Sequence, residues 1–188
     1  VRRRFADAVR GSVDTTTAPP DLKAGISFGR NWKLDGGPKL GVVASLNWAN
    51  KYQTILDEER RILNSPDGVS ADVFSEYTID RSIFEAELSG NLTLAAELSE
   101  GQKLGLRNLY TRSATDETLL QEGDDGQRQE PVRSARLKWV ERSLFSTQAF
   151  GEHLMGADTF LSWRASYAIS QRDEPDNRQY RYLYDPAI

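Results

Sequence analysis

The sequence predicts an all-β chain, an antiparallel up-and-down meander of about six long strands with long polar loops at one end. Three observations carry that reading. Apolar residues recur at every second position over long stretches, the period of a two-faced strand. Three turn clusters, "LDGGPK", "SEGQ" and "MGAD", each join two such stretches. No run of about 18 apolar residues exists, so the chain encodes no transmembrane helix.

The elements follow in order. "LKAGISFGRNW" puts Leu22, Ala24, Ile26 and Phe28 on one face. "LDGGPK" turns the chain, with Gly36-Gly37 supplying positive φ. "LGVVASLNWANKY" returns with Leu40, Val42, Ala44, Leu46 and Trp48 together, opposite Ser45 and Asn47. The charged stretch 53–81 then breaks the alternation. It holds a Pro-Asp-Gly turn at Pro66 to Gly68, and Ile55, Leu56, Ile62 and Leu63 suit a short helix.

The longest alternation starts at Ile83. Phe84, Ala86, Leu88, Gly90, Leu92, Leu94, Ala96 and Leu98 form one set, without a charge. Glu85, Glu87, Asn91, Thr93 and Glu97 belong to the other. "SEGQ" turns this strand back into Leu104, Leu106 and Tyr110. A second polar stretch, 113–133, is expected as a loop. Next, Ala135, Leu137, Trp139, Phe145, Thr147 and Ala149 share a register that Glu141 and Ser143 interrupt, expected as a bulge or a rise above the apolar band. After "MGAD", Leu161, Trp163, Ala165, Tyr167 and Ile169 oppose Arg164 and Ser166. The expected strands lie near 21–33, 39–52, 82–98, 103–113, 133–152 and 159–172, in a single partial-barrel domain over 1–188.

An alternating strand buries its apolar face in a protein core or in lipid. Four features favour lipid. The strand after Ile83 alternates over about fifteen residues, against about five or six in ordinary soluble strands. Short and long connections alternate, as in barrels with short periplasmic turns and long outer loops. The opposite face, with Ser45, Asn47, Glu85, Glu87, Asn91, Thr93, Arg164 and Ser166, is polar enough for a wet lumen. Trp32, Trp48, Tyr110, Trp139 and Tyr167 fall near strand ends, where amphipathic rings suit a membrane interface. Leu22, Ile26, Phe28, Leu40, Val42, Leu46, Trp48, Leu88, Leu92, Leu94, Leu104, Leu106, Leu161, Trp163 and Tyr167 are therefore the expected lipid-facing set. Phe84 enters from the outer side, Ser99 to Gln102 turn at the periplasm, and Tyr110 returns to the outer interface.

Composition fits this reading. Apolar residues make up 38% and charged residues 28%, and mean hydropathy is -0.59, low enough for strands that alternate. Net charge is -4, without the concentrated basic face that nucleic acid needs. Cysteine is absent, which excludes disulfides, thiolate metal sites and a cysteine nucleophile. "VRRRFADAVRG" is basic like the start of a signal peptide, but no apolar segment follows. The chain starts with Val1, and a fragment of a longer product is expected.

Several stretches carry residue types capable of chemistry. His153 is the lone histidine and has no second histidine for a two-histidine metal site. Asp116, Glu117, Glu122, Asp124, Asp125 and Glu130 do not meet the spacing of a calcium loop and read as a solvated loop. Arg178, Tyr180, Tyr182 and Tyr184 alternate with Gln179, Arg181 and Leu183, a strand rising above the membrane or a surface that stacks on a ligand. Glu85 and Glu87 are two apart on a strand and point the same way, not across a cleft as a glycosidase pair must. "GGPK" lacks the spacing and following helix of a phosphate loop. No catalytic, cofactor-binding or metal-binding residue is expected, and no enzyme.

"PPDLKAGISFGRNWKL", "GGPKLGVVASLNWANKY", "SGNLTLAAELSEGQKLGLRNLYTRS" and "ERSLFSTQAFGEH" resemble an internal stretch of the barrel of TonB-dependent outer-membrane receptors, from about Asp14 to Asp185. The resemblance implies a bacterial outer-membrane barrel of about 22 strands. It implies import of a scarce nutrient, such as a siderophore, cofactor or glycan, without bond chemistry and with no bound cofactor. Its partners are the lipid bilayer, a small ligand and an inner-membrane energy-transducing complex. That complex acts through a plug expected to be absent from these residues, as is the signal peptide. The alternative is a soluble β-sandwich or jelly-roll, perhaps carbohydrate-binding, with Leu40, Val42, Leu46, Leu88, Leu92 and Leu94 packed under a second sheet. In the barrel, Leu22, Leu46, Leu92 and Trp163 share one outer face instead.

Overall fold

The computed structural model describes residues 17–65, 68–69, 71–127, 130–156 and 158–183. They form six strands: β1 (Leu22–Lys33), β2 (Lys39–Asn64), β3 (Asp72–Ser99), β4 (Gln102–Asp125), β5 (Glu130–Met155) and β6 (Thr159–Leu183). All belong to one antiparallel sheet in chain order, with no helix among the described residues. The sheet is not closed, since β1 and β6 are its two edges. The expected all-β meander is therefore the observed fold.

The tight turns are glycine turns. Gly36 has φ +67°, and Gly37 donates to the Leu34 carbonyl at 3.0 Å. Gly101 and Gly156, both at φ +74°, turn the other two hairpins. Glycine takes this left-handed region without the clash a Cβ would bring. At the start of β1, Asn50 accepts from the Leu22 amide at 2.9 Å and Asp21 accepts from the Tyr52 amide at 2.7 Å.

The polar stretches expected as loops are strand. Ile55 pairs with Arg81 and Ile62 with Ser75, so the expected helix is instead the outer half of β2. Asp116, Glu117, Glu122, Asp124 and Asp125 lie in β4, and Glu130 opens β5. Only residues 65–71 and 126–129 connect these strands. Of the expected Pro-Asp-Gly turn, Pro66 and Asp67 lie outside the described residues, while Gly68 has φ +70°. The tail through Leu183 continues β6, and Tyr184 lies outside the described residues. The physical reason is the neighbour. Once an inner strand pair is aligned, each added cross-strand pair satisfies two more backbone groups, and this outweighs weak local patterning.

Ion pairs take the place of apolar contacts in this outer half. Arg61 bonds Glu76 at 2.6 Å, Arg112 bonds Glu141 at 2.5 Å, and Arg133 pairs with Glu122. Glu76 hydrogen-bonds the Arg61 guanidinium and holds its pKa above the usual value, and Glu122 does the same for Arg133. A small buried cluster sits here as well. Ile79 is 1% exposed, and Tyr77, Val132 and Ser134 lie on the same side of adjacent rows.

The register shifts at Ile55/Glu58, Ile62/Leu63, Glu97/Ser99 and Trp139/Glu141, and two of these shifts bear on the sequence reading. Between Ile55 and Glu58, β2 carries one residue more than β3; Asp57 has φ +56° and its amide donates to Asp80 Oδ1 at 3.0 Å. Between Trp139 and Glu141, the extra residue lies on β6, near Pro175. Proline has no amide to donate, so a bulge is where a strand tolerates it. The irregularity expected around Glu141 is thus present, and its cause is on the partner strand.

Because β4 is an inner strand throughout, the amides of Thr115, Leu119 and Gln121 should exchange with solvent at least about 100-fold more slowly than an open chain. Hydrogen exchange read residue by residue checks this. Unprotected amides there would restore the loop assignment.

Candidate functional site

Cross-strand partners in a sheet share a face, so the register sorts every side chain. Trp32, Leu40, Ala96, Leu104, Gly151 and Trp163 form one row across all six strands. Successive rows toward the outer end begin with Arg30, Phe28, Ile26 and Ala24 on β1 and carry Val42, Leu46, Trp48, Leu88, Leu92, Leu94, Leu106 and Tyr167. Leu22 lies one row further out and Leu161 one row nearer the turns. Every residue of the expected lipid-facing set therefore lies on one face, called here the apolar face.

The band from the Trp32 row to the Ala24 row spans nine residues, roughly 27 Å along the strands. Across six strands it covers on the order of 650 Å², more than a soluble monomer ordinarily exposes in one patch. Its side chains are open. Ile26 is 72% exposed, Tyr167 61% and Leu46 51%. No second sheet covers them among the described residues, so the sandwich arrangement does not form there. Two charges lie inside the band: Arg112, in its outermost row and paired with Glu141, and Arg30, on an edge strand near the turn end with its guanidinium 5.5 Å from the Trp32 ring.

The same register puts Ser45, Asn47, Glu85, Glu87, Asn91, Thr93, Arg164 and Ser166 on the opposite, polar face. Asn91 donates to Ser45 Oγ at 2.6 Å, and Gln148 donates to Ser166 Oγ at 2.9 Å. Asn47 lies against Gly25, where an added Cβ would meet its Oδ1 at 2.6 Å. Around that contact, Lys23, Asn47, Glu87 and Ser89 line an open hollow of about 280 Å³. At the turn end, Lys39, Glu97, Lys103 and Glu152 make a row of alternating charge, with Lys39 to Glu97 at 3.1 Å and Lys103 to Glu152 at 3.6 Å.

Aromatic residues mark both edges of the band. All four tryptophans, Trp32, Trp48, Trp139 and Trp163, are on the apolar face. Toward the outer end, Tyr52 and Phe84 pack with ring centroids 4.7 Å apart. At the turn end, Trp163 Nε1 donates to His153 Nε2 at 3.0 Å. That bond needs a lone pair on Nε2, so the neutral ring carries its proton on Nδ1, which donates to Gln102 Oε1 at 2.7 Å. Gln102 in turn donates to the Leu154 carbonyl at 2.9 Å. Gly151 leaves room for both rings. His153 thus orients an indole; the sequence isolates it because its partners are ten and fifty-one residues away.

The remaining candidates are separated by the register. Glu85 and Glu87 stand side by side on β3, opposite Lys51 and Ala49. No group of metal-ligating side chains assembles among the described residues. Arg178, Tyr180 and Tyr182 share the apolar face above the band, with Arg178 bonded to Asp176 at 2.6 Å. No protein-family model and no curated protein matches the chain.

His153→Ala should remove the indole's acceptor and cost about 1 kcal/mol of stability. Trp163→Phe should cost a similar amount, and the double substitution little more than either alone. A double-mutant cycle by denaturant unfolding checks the coupling.

Proposed function

We propose that this sheet is a stretch of the wall of a bacterial outer-membrane barrel of the TonB-dependent receptor class, which imports a scarce small nutrient without bond chemistry. The apolar face contacts lipid and the polar face borders the lumen. The carrying observation is the register: one face gathers most of the long apolar strand residues between the turns and Trp48 into an open band of bilayer scale, while Val43, Leu109, Leu144 and Phe150 fall on the other face. The extended strand halves beyond it stand outside the membrane, where ion pairs meet water.

Three further features support this reading. Tryptophans at both margins of the band suit interfacial girdles. The outer margin steps from Phe84 on β3 down to Tyr110 on β4, as a level membrane cuts tilted strands at different residues. Open edges in hydrocarbon would leave backbone groups unsatisfied at several kcal/mol each, so β1 and β6 pair with further strands in the membrane. Import is then driven by an inner-membrane energy-transducing complex acting through a plug.

The absence of cysteine allows single cysteines to be placed at will. Spin labels at N91C, L92C, T93C and L94C in the membrane-bound protein should alternate. Positions 92 and 94 should collide with oxygen dissolved in lipid, and 91 and 93 with a water-soluble nickel chelate. Equal access to the chelate at all four positions would sink the proposal.

A further inference from the structure

The described arginines differ in their partners. Arg61, Arg81, Arg112, Arg133, Arg172 and Arg178 each have a carboxylate within 4.0 Å. Among the described residues, Arg30, Arg60, Arg107, Arg136, Arg142, Arg164 and Arg181 have no such ion pair, and the last five lie on the polar face of β4, β5 and β6. Over the segments 105–113, 142–150 and 164–172, that face carries no Asp or Glu at all. The acids of the polar face at this level, Glu85 and Glu87, are on β3, beside Lys51 and Lys23.

Arg142 and Arg172 stand directly opposite one another in the ladder. Like charges in that position destabilise a sheet. Arg172 is turned to Glu174, while Arg142 is exposed with no ion pair among the described residues. Six to eight residues along β5 toward the turns, roughly 20–27 Å, lies a second station. There the Arg107 guanidinium sits 4.7 Å from the Phe150 ring, which lies on Gly105, and Arg164 is directly opposite Phe150. Between the stations the face offers Ser146, Gln148, Ser166 and Ser170, with Gln148 bonded to Ser166, beside the apolar Leu109 and Leu144. Arg136 lies as far outward from Arg142 as Arg107's partner Gln148 lies inward.

We propose that this strip is a binding track for a small, multiply charged oxyanion, a polycarboxylate or polyphosphate, held first between Arg142 and Arg172. Guanidinium forks bind carboxylate and phosphate alike through paired, charge-assisted hydrogen bonds. The strip faces the lumen if the barrel reading holds, and it then names the class of ligand carried.

Calorimetric titration of the full chain in uncharged detergent micelles tests the track, with citrate, pyrophosphate and uncharged triethyl citrate as probes. Citrate or pyrophosphate should bind, the tighter of the two telling carboxylate from phosphate, and triethyl citrate should not. R142Q with R172Q should weaken binding at least about tenfold, and R142K with R172K should weaken it less. R60Q, on the polar face of β2 and away from the strip, should leave it unchanged. Strand content by circular dichroism confirms that each variant is folded. Binding of neither anion, equal binding of the uncharged ester, or affinity unmoved by the paired glutamines overturns the track. If the spin labels still alternate in that case, the barrel reading stands alone; anion binding without alternation overturns the barrel reading and keeps the track.

Discussion

The hydrogen-bond ladder is the constraint on which everything else in this molecule depends. Side chains on a strand alternate strictly, so a slip of one residue between two strands would carry Leu88, Leu92 and Leu94 to the side of Ser45 and Asn47. The register is pinned by short glycine turns after Lys33, Ser99 and Met155. It is also pinned by side chains that cap the ladder, as Asn50 and Asp21 do at the start of β1. With the register set, the sheet has one face of leucine, tryptophan and phenylalanine and one of serine, asparagine, glutamate and arginine. The fold has almost no core of its own. Its few buried apolar side chains, Tyr77, Ile79, Val132, Ala135 and Val140, all lie toward the outer end.

The two halves of the strands are stabilised differently. Near the turns, alternation is strong and side chains are sorted by polarity. In the outer half, both faces are polar, and cross-strand ion pairs such as Arg61–Glu76 and Arg133–Glu122 line the ladder. Exposed pairs of this kind contribute little individually, roughly 0–1 kcal/mol each. The outer half therefore rests on its backbone pairing, on the Ile79 cluster, and on being an extension of strands already aligned below. The bulges at Asp57 and near Pro175 both fall in this half, where a break in face assignment moves no leucine of the band.

The inner half of the sheet was legible in the sequence because alternation and turn chemistry are local. The glycine turns, the six-strand order and the division of faces from Leu22 to Tyr167 follow from period two alone. The outer half was not legible. Ile55, Leu56, Ile62 and Leu63 mimic helical spacing because a bulge at Asp57 shifts the phase of β2 partway along. Asp116 to Asp125 look like a solvated loop because the segment itself contributes mostly polar side chains, and the buried Ile79 and Val132 that flank it come from the neighbouring strands. The arginine strip was half visible, through Arg164. The isolation of Arg107, Arg136 and Arg142 from carboxylates depends on which strands lie side by side, and no local pattern encodes that. The same holds for His153, whose meaning comes from Trp163 and Gln102.

The central claim is that the apolar face meets lipid. All four tryptophans lie on that face, two of them, Trp163 and Trp48, at the turn-end and outer margins of the band. The most direct measurement is fluorescence quenching of single-tryptophan versions that keep only Trp48 or only Trp163, in bilayers with bromine on the acyl chains and with acrylamide in the water. The account predicts strong quenching by brominated lipid and weak quenching by acrylamide at both positions. Strong acrylamide quenching with none from brominated lipid would contradict it.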